Sequence, residues 1–139
     1  MKKIACLTGT RADYGYLRPV MREIEKNPKL ELIVIATGMH FFKQFGNTID
    51  EIKKDFLGVI EVPVELPEDS GYGTTKYIAE VMEKISKIFK EIKPDFCLVL
   101  GDRTEIFASV LAAFFQNIFI AHMHGGDIHI SPLFFLRSP

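Results

Sequence analysis

The sequence predicts an α/β fold built on a doubly wound, mostly parallel β-sheet. Short apolar runs alternate along the chain with segments whose apolar residues recur three and four positions apart, the spacing of one helix face. One of the runs, FCLVL at residues 96–100, holds no polar residue. Such a run is typical of a parallel strand that helices cover on both faces.

Each element follows from a local pattern. We expect five strands at the apolar runs, at residues 4–8, 30–36, 59–64, 96–100 and 118–121. We expect four helices where the helical spacing recurs, at residues 16–27, 49–56, 75–93 and 104–115. Thr48 and Glu51 are spaced as a capping box for the second helix. The segments between them are read as loops, at residues 9–15, 37–47, 68–73 and 122–127.

Composition and charge exclude several classes of protein. The 139 residues are 47% hydrophobic and 25% charged, which is the balance of a globular domain rather than of a disordered or coiled-coil chain. Seventeen basic and eighteen acidic residues predict neither a nucleic-acid partner nor an anionic membrane surface. The apolar run at residues 4–7 is too short for a signal peptide. We therefore expect a cytoplasmic protein.

Two cysteines, Cys6 and Cys97, lie inside apolar runs. This placement favours two buried thiols that pack as small hydrophobic side chains. A disulfide or a catalytic thiol is the less favoured alternative.

Four polar clusters follow the predicted strands. They lie at residues 9–15, 37–40, 101–105 and 122–127. In a doubly wound sheet, ligands bind beyond the carboxyl ends of the strands where the strand order reverses. In the usual winding strands one and four are neighbours there. The Gly-Thr-Arg motif (residues 9–11) and the Gly-Asp-Arg motif (residues 101–103) are then expected to face one crevice.

The Gly-Thr-Arg motif allows two interpretations. Gly9 lets backbone N–H groups approach an anion at a helix N-terminus, and Arg11 offers bidentate geometry to a phosphate. Alternatively, the segment is a tight turn in which Arg11 pairs with Asp13 at the surface. The segment fits neither the dinucleotide-binding glycine pattern nor a Walker loop.

Asp102 also has two possible roles. A carboxylate at the carboxyl edge of a sheet can be tuned for proton transfer. Asp is also a good N-cap, and position 102 directly precedes a predicted helix. The bare pattern favours the cap, although one residue can serve both roles. Glu105 fits a capping role for the same helix.

Three histidines cluster near the end of the chain. They are His122, His124 and His129, with Asp127 between them. A His-x-His pair on a strand presents both rings to one face, which suits a metal. Ligand-facing or structural histidines are favoured over a metal site, because Gly125 and Gly126 form a loop through which backbone can approach a ligand.

Two motifs together resemble a known family. GTRADYG at residues 9–15, followed by LRP at 17–19, is similar to the start of the UDP-N-acetylglucosamine 2-epimerases, above all their hydrolysing branch. The segment from residue 93 to residue 127, which contains GDRTE and HMHGGD, matches the same family in order and spacing. The resemblance covers about residues 3–128, which is less than half of a typical member.

The resemblance implies a two-domain fold of the glycosyltransferase-B type. Residues 1–128 would be most of the N-terminal Rossmann-like domain, and residues 129–139 an atypical tail that does not match the family. Family members eliminate UDP through a 2-acetamidoglucal intermediate and then add water, with carboxylates moving the protons and no nicotinamide cofactor.

The resemblance also assigns residues to roles. Asp102 matches the carboxylate of the family's Gly-Asp motif and would be catalytic. His124 occupies the place of Glu in the pattern His-x-Glu-Gly-Gly and would share that role. Contacts with the UDP-sugar would come from the matching motif positions, namely Gly9, Arg11, Asp13, Arg103, His122, Gly125 and Gly126.

The short chain limits what we expect of it. Chemistry that needs several positioned carboxylates and a closed cleft cannot be complete in 139 residues, so we expect no epimerase activity from this chain alone. A non-catalytic module that binds a nucleotide or a phosphate is the alternative. The apolar tail Leu133–Phe134–Phe135–Leu136 would expose apolar area, which favours a homodimer.

Overall fold

The computed structural model describes residues 1–124 and contains one five-stranded parallel sheet. The strands are β1 (Lys2–Thr8), β2 (Leu30–Ala36), β3 (Ile60–Glu61), β4 (Phe96–Leu100) and β5 (Phe119–Met123). The helices are α1 (Arg11–Lys26), α2 (Thr48–Asp55), α3 (Gly71–Ile92) and α4 (Thr104–Phe115). Two short 3-10 helices, Gly38–Phe41 and Lys43–Phe45, connect β2 to α2. The predicted α/β class is confirmed. The predicted tail at residues 129–139 lies outside the described residues.

The strand order is β3-β2-β1-β4-β5, and every neighbouring pair is parallel. β1 lies at the centre and pairs with both β2 and β4. The chain therefore moves outwards from β1 in one direction and then, beginning with β4, in the other. The predicted switch point between strands one and four is confirmed, so the loops that follow β1 and β4 leave the same edge of the sheet side by side.

Each face of the sheet carries its own hydrophobic core. On one face α3 and α4 pack against the strands, with Val81, Ile85 and Ile106 among the buried residues. On the other face α1 and α2 cover the sheet through Leu17 and Ile52. Leu98 and Leu100 of the nonpolar strand β4 lie in this second core, whereas Cys97 and Val99 lie in the first. Coverage on both faces explains why that strand holds no polar side chain.

The structure differs from the prediction at the start of two helices. α1 begins at Arg11, so the expected loop at residues 9–15 is mostly helix, because Thr10 and Asp13 form a capping box. α3 begins at Gly71 rather than at 75, because the Ser70 hydroxyl accepts a hydrogen bond of 2.9 Å from the Gly73 N–H. Gly71 and Gly73, which favoured a loop by composition, lie in the first turn of this helix.

Two smaller predictions also differ from the structure. The third strand, expected at residues 59–64, is present but forms ladder pairs only at Ile60 and Glu61. The capping box expected at Thr48 and Glu51 does not form, because Asn47 is the N-cap residue of α2 and the Thr48 hydroxyl lies 2.7 Å from the ring of His40 instead. Among the described residues, no helix is long and apolar enough to cross a membrane.

Candidate functional site

The two predicted ligand-binding motifs lie on neighbouring strand ends. Gly9 and Thr10 connect β1 to Arg11, the first residue of α1. Gly101, Asp102 and Arg103 connect β4 to α4. Because β1 and β4 are paired, both motifs leave one edge of the sheet. Arg11, Asp102 and Arg103 are all exposed at this edge.

Asp13 holds the N-terminus of α1 and does not lie at the surface. Its Oδ2 accepts hydrogen bonds of 3.0 Å from the backbone N–H groups of both Gly9 and Thr10. The Thr8 hydroxyl donates to its Oδ1. The Arg11–Asp13 surface pair is therefore wrong, because Asp13 is buried. The nearest acidic partner of Arg11 is Glu51, at 3.8 Å.

This arrangement also changes the predicted role of Gly9. The N–H that was expected to approach a bound anion already donates to the protein's own carboxylate. An anion could use that N–H only by displacing Asp13. Burial raises the pKa of Asp13 above its ordinary value, and the hydrogen bonds from Thr8, Gly9 and Thr10 oppose the rise. Direct contact of Gly9 or Asp13 with a substrate stays a prediction.

Asp102 is not the N-cap of α4. The cap position is Arg103, whose side chain makes no capping hydrogen bond. Asp102 lies one residue earlier and is exposed. The capping interpretation that the pattern favoured is therefore wrong, and the carboxylate stands at the edge beside the Gly-Thr-Arg motif.

Glu105 is a buried carboxylate rather than a cap. Only 2% of its side chain is exposed. Its Oε1 accepts a 2.9 Å hydrogen bond from the Tyr77 hydroxyl, and its Oε2 lies 3.2 Å from Arg103 Nε. The sequence offered no signal for this role, because a Glu near the start of a helix is ordinarily a solvated residue that complements the helix dipole.

A chain of hydrogen bonds lies beneath the same edge. Thr8 Oγ1 is 2.8 Å from Nε2 of His40, and Nδ1 of His40 is 2.7 Å from Thr48 Oγ1. Since the Thr8 hydroxyl donates its hydrogen bond to Asp13, we assign His40 Nε2–H as the donor to Thr8 Oγ1. Nδ1 then accepts from Thr48. Burial lowers the pKa of His40 from 6.5 to about 4, so the ring is neutral at pH 7.

The predicted histidines lie at the end of β5. His122 is in the strand, and its Nε2 is 2.6 Å from the Gly101 carbonyl oxygen. His124 follows the strand with a φ of 58°, a left-handed conformation that is uncommon for a residue with a side chain. Its ring centroid lies 5.4 Å from that of Tyr16 on α1. Tyr16 was not among the predicted site residues, and a single exposed aromatic residue on a helix carries little sequence signal.

The remaining residues of the histidine cluster lie outside the described residues. They are Gly125, Gly126, Asp127 and His129. Within residues 1–124, no group of three histidine, cysteine, aspartate or glutamate residues is placed to hold a metal ion. The described part of the site therefore offers two arginines, one exposed carboxylate and two histidines along one edge of the sheet. Such a set can neutralise a phosphate and move a proton.

Comparison with known proteins points to one family. A family model described as UDP-N-acetylglucosamine 2-epimerase matches residues 22–131. The UDP-N,N'-diacetylbacillosamine 2-epimerase (hydrolyzing) of Legionella pneumophila is 37% identical over 128 residues, which cover 91% of this chain and 34% of that protein. The UDP-N-acetylglucosamine 2-epimerase of Neisseria meningitidis is 35% identical over 133 residues, covering 92% of this chain and 33% of that protein.

A solved structure agrees with these sequence matches. The crystal structure of UDP-GlcNAc 2-epimerase from Neisseria meningitidis, bound to UDP-GlcNAc, superposes with a TM-score of 0.77 and 25% identity. The match covers 98% of this chain and 35% of that one. The chain thus spans about a third of the length of the relatives that it matches. On its sequence and its fold, the chain belongs to the UDP-N-acetylglucosamine 2-epimerase family and corresponds to the N-terminal part of its members.

Proposed function

We propose that these residues form the N-terminal part of a hydrolysing UDP-N-acetylglucosamine 2-epimerase, which converts a UDP-sugar to an N-acetylmannosamine-type sugar and UDP. The observation that carries the proposal is the pairing of β1 with β4. It brings the two motifs that resemble the family, Gly-Thr-Arg and Gly-Asp-Arg, to adjacent positions on one edge. Arg11 and Arg103 are exposed there, as groups that bind a diphosphate must be.

The reaction needs a base, an acid and a stabilised leaving group. Removal of the proton at C2 of the sugar and cleavage of the bond between C1 and the diphosphate oxygen release UDP and leave a 2-acetamidoglucal. Water then adds its hydroxyl to C1 while a proton returns to C2 on the opposite face. Asp102 would move one of these protons, and the two arginines would balance the charge that builds on the departing diphosphate. His124 would contact the sugar or assist proton transfer.

The proposal also specifies the type of reaction, which is hydrolysing, and the sugar of the substrate. The name of the Legionella relative supports hydrolysis, and it specifies a diacetamido sugar. The Neisseria relatives are named for N-acetylglucosamine. UDP-N-acetylglucosamine is the first substrate to test, and UDP-N,N'-diacetylbacillosamine is the second.

The 139 residues alone are expected to bind UDP without turning over a UDP-sugar. They correspond to a third of their relatives, whereas the proposed chemistry needs groups around a closed cleft.

We also propose that the chain forms a homodimer. Phe114, Phe115 and Phe119 are each more than half exposed, which leaves apolar area for a second copy to cover. Sedimentation velocity would reveal a dimer, and a monomer at micromolar concentration would contradict it.

The first experiment is a calorimetric titration of the chain with UDP. The wild-type chain should bind, and Arg11→Gln should weaken binding by about tenfold through loss of a charged phosphate contact. Glu83→Gln, on the exposed face of α3, is the control and should bind like the wild type. Absence of UDP binding by the folded wild-type chain would contradict the proposed phosphate role of Arg11 in this chain and would favour a structural fragment that does not bind the nucleotide by itself.

A second experiment separates the enzyme fragment from a plain binding module. UDP-N-acetylglucosamine is offered to the wild-type chain and to Asp102→Asn. If Asp102 faces the sugar, the substitution should change affinity for the UDP-sugar more than affinity for UDP. Equal effects on both ligands would favour the non-catalytic module. Release of N-acetylmannosamine by the purified chain would overturn the expectation that it is inactive.

A further inference from the structure

We propose that Glu105 is a positioning residue, which fixes the guanidinium of Arg103 and joins the three loops at the candidate site. The inference rests on the proposed function for the identity of the ligand, a nucleoside diphosphate. It concerns a residue that touches other parts of the protein rather than the ligand itself.

The first observation is the burial of a charged group. The Glu105 side chain is 2% exposed, and a buried carboxylate is costly unless it is paired and hydrogen-bonded. Both of its oxygens have partners. Arg103 Nε lies 3.2 Å from Oε2, Arg103 Nη2 lies 3.4 Å from Oε1, and the Tyr77 hydroxyl donates to Oε1 at 2.9 Å.

The second observation is the asymmetry of the Arg103–Glu105 pair. Arg103 is 47% exposed, whereas its partner is buried. A guanidinium carries five N–H donors in a rigid plane, and two contacts with one carboxylate fix that plane. The donors that Glu105 does not use remain to bind a second anion. An arginine held in this way has already lost much of the side-chain freedom that binding would otherwise cost.

The third observation is the packing of two glycines onto the same side chain. A Cβ on Gly9 would lie 3.4 Å from Glu105 Cβ, and a Cβ on Gly38 would lie 2.9 Å from Glu105 Oε1. Gly9 follows β1 and Gly38 follows β2, and a 2.8 Å hydrogen bond from Met39 N–H to the Gly9 carbonyl ties these loops together. Glu105 therefore contacts the loops after β1, β2 and β4 at once.

Glu105→Gln removes the negative charge of the side chain and keeps its shape, so it tests the ion pair with Arg103 directly. In Glu105→Gln the amide oxygen can still accept from Tyr77, but the bidentate ion pair with Arg103 is lost. Arg103 should then become mobile, and UDP should bind about tenfold more weakly than to the wild type. Arg103→Gln should weaken binding to a similar extent. The double variant should bind no more weakly than Arg103→Gln alone, because Glu105 acts through Arg103.

A second readout does not depend on UDP. The ¹⁵N-¹H signal of Arg103 Nε should be shifted and rigid in the wild type and should return to the position of mobile arginines in Glu105→Gln. Arg11, whose side chain is 77% exposed and 3.8 Å from Glu51, provides the mobile reference within the same spectrum. A merely structural role for Glu105 would lower the melting temperature without releasing Arg103 in the folded protein.

The outcomes separate this inference from the proposed function. If the wild type fails to bind UDP, the proposed phosphate role of the arginines in this chain fails, and the Arg103 signal alone decides whether Glu105 positions it. An Arg103 signal that is mobile in the wild type, or unchanged in Glu105→Gln, would overturn the inference. Unchanged UDP affinity in a folded Glu105→Gln would also overturn it. If that variant does not fold, Glu105→Asp takes its place, because it keeps the charge and shortens the reach to Arg103.

Discussion

His40 and Thr8 are joined by a hydrogen bond of 2.8 Å between Nε2 and Oγ1, at the ends of two neighbouring strands. Thr8 ends β1, and His40 follows β2 by four residues. The Thr8 hydroxyl donates a hydrogen bond to Asp13, and Asp13 holds the start of α1. The position of the Gly-Thr-Arg motif therefore depends on a histidine that is only 1% exposed.

The first prediction concerns the pH dependence of stability. Burial lowers the pKa of His40 from 6.5 to about 4, so the unfolded chain binds more protons than the folded one between these values. The contribution of His40 is therefore present above pH 6.5 and is lost as the pH falls towards 4, by about 3 kcal/mol in total. Urea unfolding at pH 7, 6, 5 and 4.5 measures this loss.

The matched variant for this prediction is His40→Gln. It removes the titrating ring, so the free energy of unfolding should depend less on pH between 4.5 and 6.5 than in the wild type. The raised pKa of Asp13 acts in the opposite direction. Above pH 3.8 the folded state keeps the Asp13 proton more readily than the unfolded state does. Asp13 is present in both proteins. Parallel pH profiles would show that His40 does not titrate as the structure requires.

The second prediction compares two glycines. Gly38 has a φ of +64°, and an added Cβ would lie 2.8 Å from the Gly9 carbonyl oxygen. Gly38→Ala should therefore cost about 2–4 kcal/mol through strain and overpacking. Gly15 lies within α1 and has no atom within 4 Å of an added Cβ, so Gly15→Ala should stabilise the protein by about 0.5–1 kcal/mol. Urea unfolding measures both, and equal effects would contradict the close packing at Gly38.

The sequence allows the sheet to be predicted more readily than the site. The alternation of strand and helix patterns and the wholly apolar β4 are local signals in the sequence. They predict which segments are strands, and the tertiary structure then sets the order of those strands in the sheet. Glu105 and His40 could not be assigned in this way, because their roles arise from residues far away in sequence, such as Tyr77 and Thr8. Asp13 is an intermediate case. Its spacing from Thr10 fits a capping box, but GTRADYG also fits a turn with an exposed ligand-binding face.

The third prediction tests the role of Asp13 in holding α1. Asp13→Ala leaves the Gly9 and Thr10 N–H groups without their acceptor in a buried position, which should cost about 2–3 kcal/mol. Asp13→Asn keeps one carbonyl oxygen for these donors and should cost less. Urea unfolding of both variants measures the difference. If Asp13→Asn is as damaging as Asp13→Ala, the negative charge rather than the acceptor geometry holds the helix.

The last prediction concerns the two cysteines, Cys6 and Cys97. Cys6 pairs in register with Leu98 and Cys97 with Ala5, and the two thiols lie in the cores on opposite faces of the sheet. They therefore cannot form a disulfide without disrupting the paired strands. Burial raises the pKa of Cys97 to about 12 and that of Cys6 well above its ordinary value, so neither is a thiolate at neutral pH.

Labelling with an aromatic disulfide reagent at pH 8 tests this arrangement. Both thiols should react in denaturant, and in the folded protein both should react at least roughly 10³-fold more slowly, because labelling then requires the strands to open. Glu83→Cys places a third thiol on the exposed face of α3, where it should react at once and show that the reagent is effective. Rapid labelling of Cys6 or Cys97 in the folded protein would mean that the sheet opens locally at β1 or β4, the two strands that carry the candidate site.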